Sequence, residues 1–258
     1  MMENMEHSSN MSQEEKDMLF LKKKCEWYNK QQGELEGYDC PLCLNKGYIA
    51  DVQDEIIGYI QCKCIIKRQN EKRLKESGLL SIKSYTFDNY RITEKWQEVI
   101  FETANDFLKD IKEKWFFIGG QPGCGKTHIC TAICLKLMEI GKRVKYMLWL
   151  DEIPKIKASV MDSVEYQELI NVLKTIEVLY IDDFFKTVKG GTVSNSDIKI
   201  AMEIINYRYL NKLTTIISSE RSISDLMMID EAIGSRISER CQEFKINIGL
   251  DTNKNQRM

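Results

Sequence analysis

The segment Gly120–Thr127 reads G-Q-P-G-C-G-K-T and constrains this chain more than any other. It fits G-x-x-x-x-G-K-[ST], a phosphate-binding loop. The apolar run Trp115–Gly119 precedes it, and His128–Ile140 follows with apolar residues at helical spacing. Strand, glycine-rich turn and helix is the context in which such a match carries meaning. Glycines let the main chain wrap closely around an anion, and the N–H groups of the turn and the helix N-terminus then point at it. On this reading Gly120, Gln121, Pro122, Gly123, Cys124, Gly125, Lys126, Thr127 and His128 surround a nucleotide. Lys126 reaches the terminal phosphates and Thr127 offers its hydroxyl to Mg2+.

A second segment supplies the acids. Val178–Asp183 is an apolar run closed by two aspartates, about 55 residues downstream of the loop. Such a run suits a strand covered on both faces, and its acids emerge at the carboxyl edge of the sheet, where ligands bind in open α/β folds. This is the form of a Walker B segment. Asp182 is expected to hold Mg2+, and Asp183 to orient or deprotonate the attacking water, a role more often filled by Glu. Thr214–Ser218 reads as a further strand running into Ser219 and Glu220, between the loop strand and the acid strand. Helices are expected over 93–114, 151–175 with a break near 159–163, 197–211, 222–228 and 231–241, and strands over 144–148 and 243–248. Lys189–Ser196 reads as a polar loop. Arg236, on the last helix, is either an arginine finger toward a neighbour's nucleotide or a surface ion pair.

The N-terminal third has a different character. Residues 1–12 are polar and read as disordered. A helix is expected over about 12–32, opened by a Ser12/Glu15 capping box, with Met18, Leu19, Leu21, Cys25 and Tyr28 along one face. That face packs against its own module or docks on a partner. Cys40-Pro41-Leu42-Cys43 and Cys62-Lys63-Cys64 follow, separated by two short strands that form a hairpin. Cys40, Cys43, Cys62 and Cys64 have the makings of a closed structural zinc site. Two unrelated surface pairs, or a redox C-x-x-C, are the alternatives. A module this small has too little core to stand unaided, which favours a metal staple. Residues 65–76 hold Lys67, Arg68, Lys72, Arg73 and Lys75, and form either a nucleic-acid contact or a solvated linker helix.

The remaining cysteines (Cys25, Cys124, Cys130, Cys134 and Cys241) read as small apolar fillers. No apolar run reaches the roughly 18 residues of a membrane span, and Met1–Gln13 lacks an apolar signal core, so a cytoplasmic protein is expected. A net charge of −2 over 258 residues leaves the choice of partner open.

Taken together, these elements resemble the AAA+ helicase loaders of the DnaC/DnaI type, phage versions included, and their transposition relative IstB. The resemblance rests on Tyr85–Tyr90 (Y-T-F-D-N-Y), Gly120–Thr127 followed by His128, Leu179–Asp183, Thr215–Glu220 and Gly234–Arg236, and runs from about Tyr85 to Ile248. It implies an α/β AAA+ P-loop core at 77–258, a parallel sheet sandwiched by helices without a C-terminal lid. It also implies an N-terminal zinc-binding, helicase-contacting domain at 1–76. Such proteins bind a replicative DnaB-type hexameric helicase, ATP and single-stranded DNA, and self-associate on ATP or on the helicase. Carried over residue by residue, Lys126, Thr127, Asp182 and Asp183 serve ATP, Arg236 takes the arginine-finger position, and Glu220 takes the sensor-1 position, where the family usually has Asn or Asp. The resemblance thus implies an ATPase that loads a helicase during replication initiation. An IstB-like transposition ATPase and a non-hydrolysing ATP-binding adaptor are the other readings.

Overall fold

A computed structural model describes residues 12–36, 39–188 and 191–255. The expected disorder of 1–12 therefore lies outside the described residues except at Ser12, as do Lys189 and Gly190 of the polar loop. The chain separates into two compact units between Lys72 and Arg73, a few residues before the expected 76/77 division and inside a helix. Among the described residues no helix is long and apolar enough to cross a membrane.

In the first unit, helix α1 (Gln13–Asn29) begins at the expected capping box. The Glu15 N–H donates to Ser12 Oγ at 3.2 Å, and the Ser12 N–H donates to the Glu15 carboxylate at 2.7 Å. Cys25 is buried, and Met18, Leu21 and Tyr28 are partly covered on the same face. Leu19, expected on that face, is exposed instead, because its position is turned away from the row set by residues 18, 21, 25 and 28. Strands β1 (Tyr48–Gln53) and β2 (Ile56–Gln61) pair antiparallel. Asn29 joins α1 to this hairpin, donating to the Ala50 carbonyl at 2.8 Å and accepting its N–H at 2.9 Å. Helix α2 (Lys63–Ser77) follows. One of its basic residues, Arg68, acts locally. It donates to the Glu36 carbonyl and, at 2.8 Å, to Asn45 Oδ1, so it braces the cysteine loop.

The second unit is a five-stranded parallel sheet. Its strands are β3 (Phe116–Gly120), β4 (Val144–Leu148), β5 (Val178–Asp182), β6 (Thr214–Ser219) and β7 (Lys245–Ile248), in the order β4-β5-β6-β3-β7. Successive strand residues face opposite ways. Phe116, Ile118, Val178, Tyr180 and Ile216 join one buried cluster, with residues of α3 (Lys95–Lys109) and α4 (Lys126–Glu139). Phe117, Leu179, Ile181 and Ile217 join the other, with residues of α5 (Trp149–Ala158), α6 (Ser163–Thr175), α7 (Asn195–Leu210), α8 (Ile223–Ile229) and α9 (Glu231–Cys241). Both faces are thus covered, which explains the unbroken apolar strands. Helix α3 ends at Lys109, before the expected 114. Asp110 leaves the helical region at φ −135° and ψ 59°, and the Ile111 carbonyl accepts from the Thr214 hydroxyl of β6. Helix α7 starts earlier than expected because Ser194 and Asp197 form a capping box.

Arg208 on α7 is fully buried, and its hydrogen bonds among the described residues go to a hydroxyl and to main-chain carbonyls. It donates to Thr215 Oγ1 and to the carbonyls of Leu173, Lys174, Ile176 and Thr214 at 2.6–3.1 Å. The first two carbonyls belong to the last turn of α6, where a cation is favoured. Arg208→Met should therefore leave several buried acceptors unpaired and destabilise this unit by about 3–5 kcal/mol. Urea unfolding reads this as a lower midpoint at constant slope. A midpoint unchanged within error would show that these bonds stabilise nothing.

Candidate functional site

Strand β3 delivers Gly120 to the turn, and α4 starts at Lys126 directly behind Gly125. Gly125 is left-handed at φ 84° and supplies no side-chain cap, so the first N–H groups of α4 remain available to an anion. Gly123 is also left-handed at φ 81°, and an added Cβ would come within 2.0 Å of Asn255 Oδ1. A cavity of about 300 Å3 opens here, lined by Pro122, Gly123, Gly125, Lys126, Thr127 and His128 from the loop side. Tyr85, Asp183, Lys186 and Glu220 complete its lining. Lys126 is nearly buried and lays its ammonium on the carbonyls of Gly120 and Gln121, at 2.7 and 2.8 Å.

Three of the expected loop residues do not line this cavity. Gly120 closes β3. The Gln121 side chain pairs with the Asp251 main chain, donating to its carbonyl and accepting its N–H, each at 2.7 Å. Cys124 is fully buried and donates to the Gln121 carbonyl at 2.9 Å.

Opposite the loop, Asp182 ends β5 as a buried carboxylate. Thr127 Oγ1 stands 3.3 Å from each of its oxygens, the Tyr146 hydroxyl donates to it at 3.1 Å, and Ser218 Oγ donates to it as well. Burial and then the Asp182 charge push the Tyr146 pKa upward, so the phenol stays a donor. Thr127 and Asp182 together present hard oxygen atoms of the kind Mg2+ takes. Asp183 leaves the strand in the left-handed region at φ 56°, with its N–H donated to Ser218 Oγ at 3.1 Å. This conformation is uncommon for a residue other than glycine, and it turns the chain just where Asp183 meets the cavity. Lys186 contacts Asp183 Oδ2 at 2.8 Å and Glu220 Oε1 at 2.9 Å. Burial opposes its charge, but the two carboxylates outweigh burial and raise its pKa.

His128 joins two motifs that lie far apart in sequence. Its Nε2 lies 2.8 Å from the Thr86 carbonyl oxygen and 3.0 Å from Asn89 Oδ1, and its ring stacks on Tyr85 at 5.0 Å. The Y-T-F-D-N-Y segment is thereby fastened to the first turn of α4. Arg236 lies on α9, outside the cavity lining. It donates to the Ala232 carbonyl at 2.9 Å and sits 5.6 Å from the centre of the Tyr209 ring. Gly234, in the same G-S-R stretch, permits the close approach of α8, since an added Cβ would meet Met227 at 2.6 Å.

Lys186, Tyr146 and Ser218 were not singled out from the sequence. For Lys186 the signal is its place three residues after Asp183. For Tyr146 and Ser218 only the strand order, with β4 and β6 on either side of β5, could reveal the contact.

In the first unit the sulfurs of Cys40, Cys43, Cys62 and Cys64 all lie within 4.8 Å of one another, and all four residues are buried. Cys40–Cys62 and Cys43–Cys64 are 3.7 and 3.5 Å apart. A tetrahedral ion with Zn–S bonds of about 2.3 Å separates its sulfurs by about 3.8 Å, so the set fits one ion. Sulfurs this close and this buried do not belong to two unrelated surface pairs. The Gly47 N–H donates to Cys43 Sγ at 3.3 Å, and the Cys40 N–H to Asn45 Oδ1 at 2.9 Å. A main-chain hydrogen bond at Cys43 brings the Cys40 thiol down to about 7, whereas burial pushes Cys64 up to about 12.

The model of the bacterial DnaA ATPase domain matches residues 82–241. The chain belongs to the AAA+ family of that domain, and its relatives include DnaC-type helicase loaders. The phage-like element PBSX protein XkdC of Bacillus subtilis (strain 168) is 29% identical over 228 residues, covering 84% of this chain and 85% of that one. The replicative helicase loader DnaC of Escherichia coli (strain K12) is 24% identical over 174 residues, covering 66% of this chain and 68% of its own. A solved structure of the replication initiator DnaA bound to AMPPCP and single-stranded DNA superposes with a TM-score of 0.53 at 25% identity. That match covers 67% of this chain and 51% of the DnaA chain, about half its length. A replication-related AAA+ ATPase family with a nucleotide site is thus the setting for the cavity.

Proposed function

We propose that this protein is an ATP-driven loader of a replicative DnaB-type hexameric helicase onto DNA. The observation that carries the proposal is the convergence of Lys126, Thr127, Asp182 and Asp183 beside one phosphate loop, in a chain related to DnaC. The first unit, through its exposed apolar residues such as Phe20 and Trp27, is the proposed helicase contact. The second unit is the proposed site for ATP and single-stranded DNA, which the DnaA structure bound to AMPPCP and single-stranded DNA supports.

In this mechanism Lys126 neutralises charge on the transferred phosphoryl oxygens. Asp183 orients the attacking water and takes up its proton. Mg2+, when bound, neutralises phosphate charge, and Thr127 and Asp182 are the residues to hold it. Zinc, held by Cys40, Cys43, Cys62 and Cys64, supplies a structural staple. Copies of the chain pack so that Arg236 approaches a neighbouring nucleotide. The test is size-exclusion chromatography with the DnaB-type helicase of the same source, with and without ATP. Absence of a joint peak in both conditions would remove the loader assignment.

The Lys186 contact with Asp183 favours a second reading, a non-hydrolysing adaptor in which the carboxylate stays engaged. Asp183→Asn separates the two. A hydrolysing enzyme should lose phosphate release by about 10²-fold or more while retaining ATP. Equal phosphate release by both forms, measured with helicase and DNA present, would speak for the adaptor.

A further inference from the structure

Glu220 ends β6 at the cavity, between the strand that carries the loop and the strand that carries the acids. On the nucleotide reading of the cavity, a group there shares the space with the phosphates that the loop would hold. A carboxylate is the wrong chemistry for sensing phosphate, because it accepts hydrogen bonds and repels the anion. The structure supplies a remedy. Lys186 lines the same cavity and rests its ammonium on Glu220 at 2.9 Å and on Asp183 at 2.8 Å. All three side chains are only 22–32% exposed, so the charges act on one another at short range with limited screening. An ammonium has three donors, and these two contacts leave one for a further acceptor.

We propose that Lys186 is the residue that reads the terminal phosphate, and that Glu220 is its positioning residue. The Lys186–Glu220 pair presents a fixed cation where a lone carboxylate would repel. The cation also links the reader to the water-orienting acid, since the ammonium whose third donor would meet the terminal phosphate already holds Asp183. This inference rests on the nucleotide reading of the cavity.

The test compares AMPPCP and ADP, each with Mg2+, by calorimetric titration of the full chain and its variants. Lys186→Met should weaken AMPPCP binding by about tenfold and change ADP binding by less than about twofold, since only the terminal phosphate loses a charged partner. Lys186→Arg should keep the preference for AMPPCP. Adding Glu220→Gln to Lys186→Met should recover at least about threefold of the lost AMPPCP affinity, because it removes the exposed negative charge. A merely structural lysine would show no such rescue. An AMPPCP-to-ADP ratio unchanged by Lys186→Met, a loss of both affinities together, or no recovery in the double variant each overturns the assignment of Lys186 and leaves the nucleotide site standing. Failure of the unaltered protein to bind either nucleotide overturns both.

Discussion

Lys126→Ala is expected to remove ATP retention and to lower turnover by about 10²–10³-fold, the usual loss when one preorganised charge-stabilising donor is taken from a reaction site. The size follows from its surroundings. The ammonium is nearly buried and held on two loop carbonyls at 2.7 and 2.8 Å, so it sits in place before a phosphate arrives. Some stability should be lost as well, since the Gly120 and Gln121 carbonyls lose their ammonium donor. Equilibrium dialysis against labelled ATP checks retention, and released phosphate checks turnover. Undiminished ATP affinity in a folded Lys126→Ala protein would mean that the loop does not hold the triphosphate.

The second large effect concerns the cysteine cluster. Its four residues are at most 5% exposed, and among the described residues only Ile49 and Ile65 pack against them as partly buried apolar neighbours. So small an apolar core cannot order the surrounding loops. Structural zinc in comparable small modules contributes about 10–16 kcal/mol of apparent binding free energy at neutral pH. Cys62→Ser, or a strong chelator, should therefore unfold the region around β1 and β2, while nucleotide binding by the second unit survives. Bound zinc, measured by elemental analysis, should fall from about one per chain toward zero, and limited proteolysis should open the first unit. A Cys62→Ser protein that keeps its metal and its protease resistance would contradict the staple.

Much of the architecture was legible in the residues because it is locally encoded. The break between α5 and α6 is one case: Asp162 caps α6 by accepting the N–H groups of Val164 and Glu165, and its neighbours carry no apolar periodicity. The hairpin was readable between its cysteine pairs, although its turn residues Asp54 and Glu55 adopt positive φ without a glycine. The end of α3 was not readable, since the helical pattern continues through Lys112–Lys114 and the chain departs to meet β6. Nor was the place of Gln121, whose side chain is claimed by the chain near Asp251.

The same division holds for the site. Residues 120–127 by themselves specify an anion-binding turn, because glycine conformation and helix N-terminal N–H groups are properties of a few consecutive residues. The paired aspartates at the end of an apolar run, and the close spacing of Cys40 with Cys43 and of Cys62 with Cys64, are local in the same sense. Only the folded chain decided what these groups meet. Tyr146 and Ser218 reach Asp182 because β4 and β6 flank β5, and Lys186 reaches Glu220 because β6 ends beside the turn that follows β5. Strand order is set by how whole helices and strands bury their apolar faces, and no short stretch of residues contains that information.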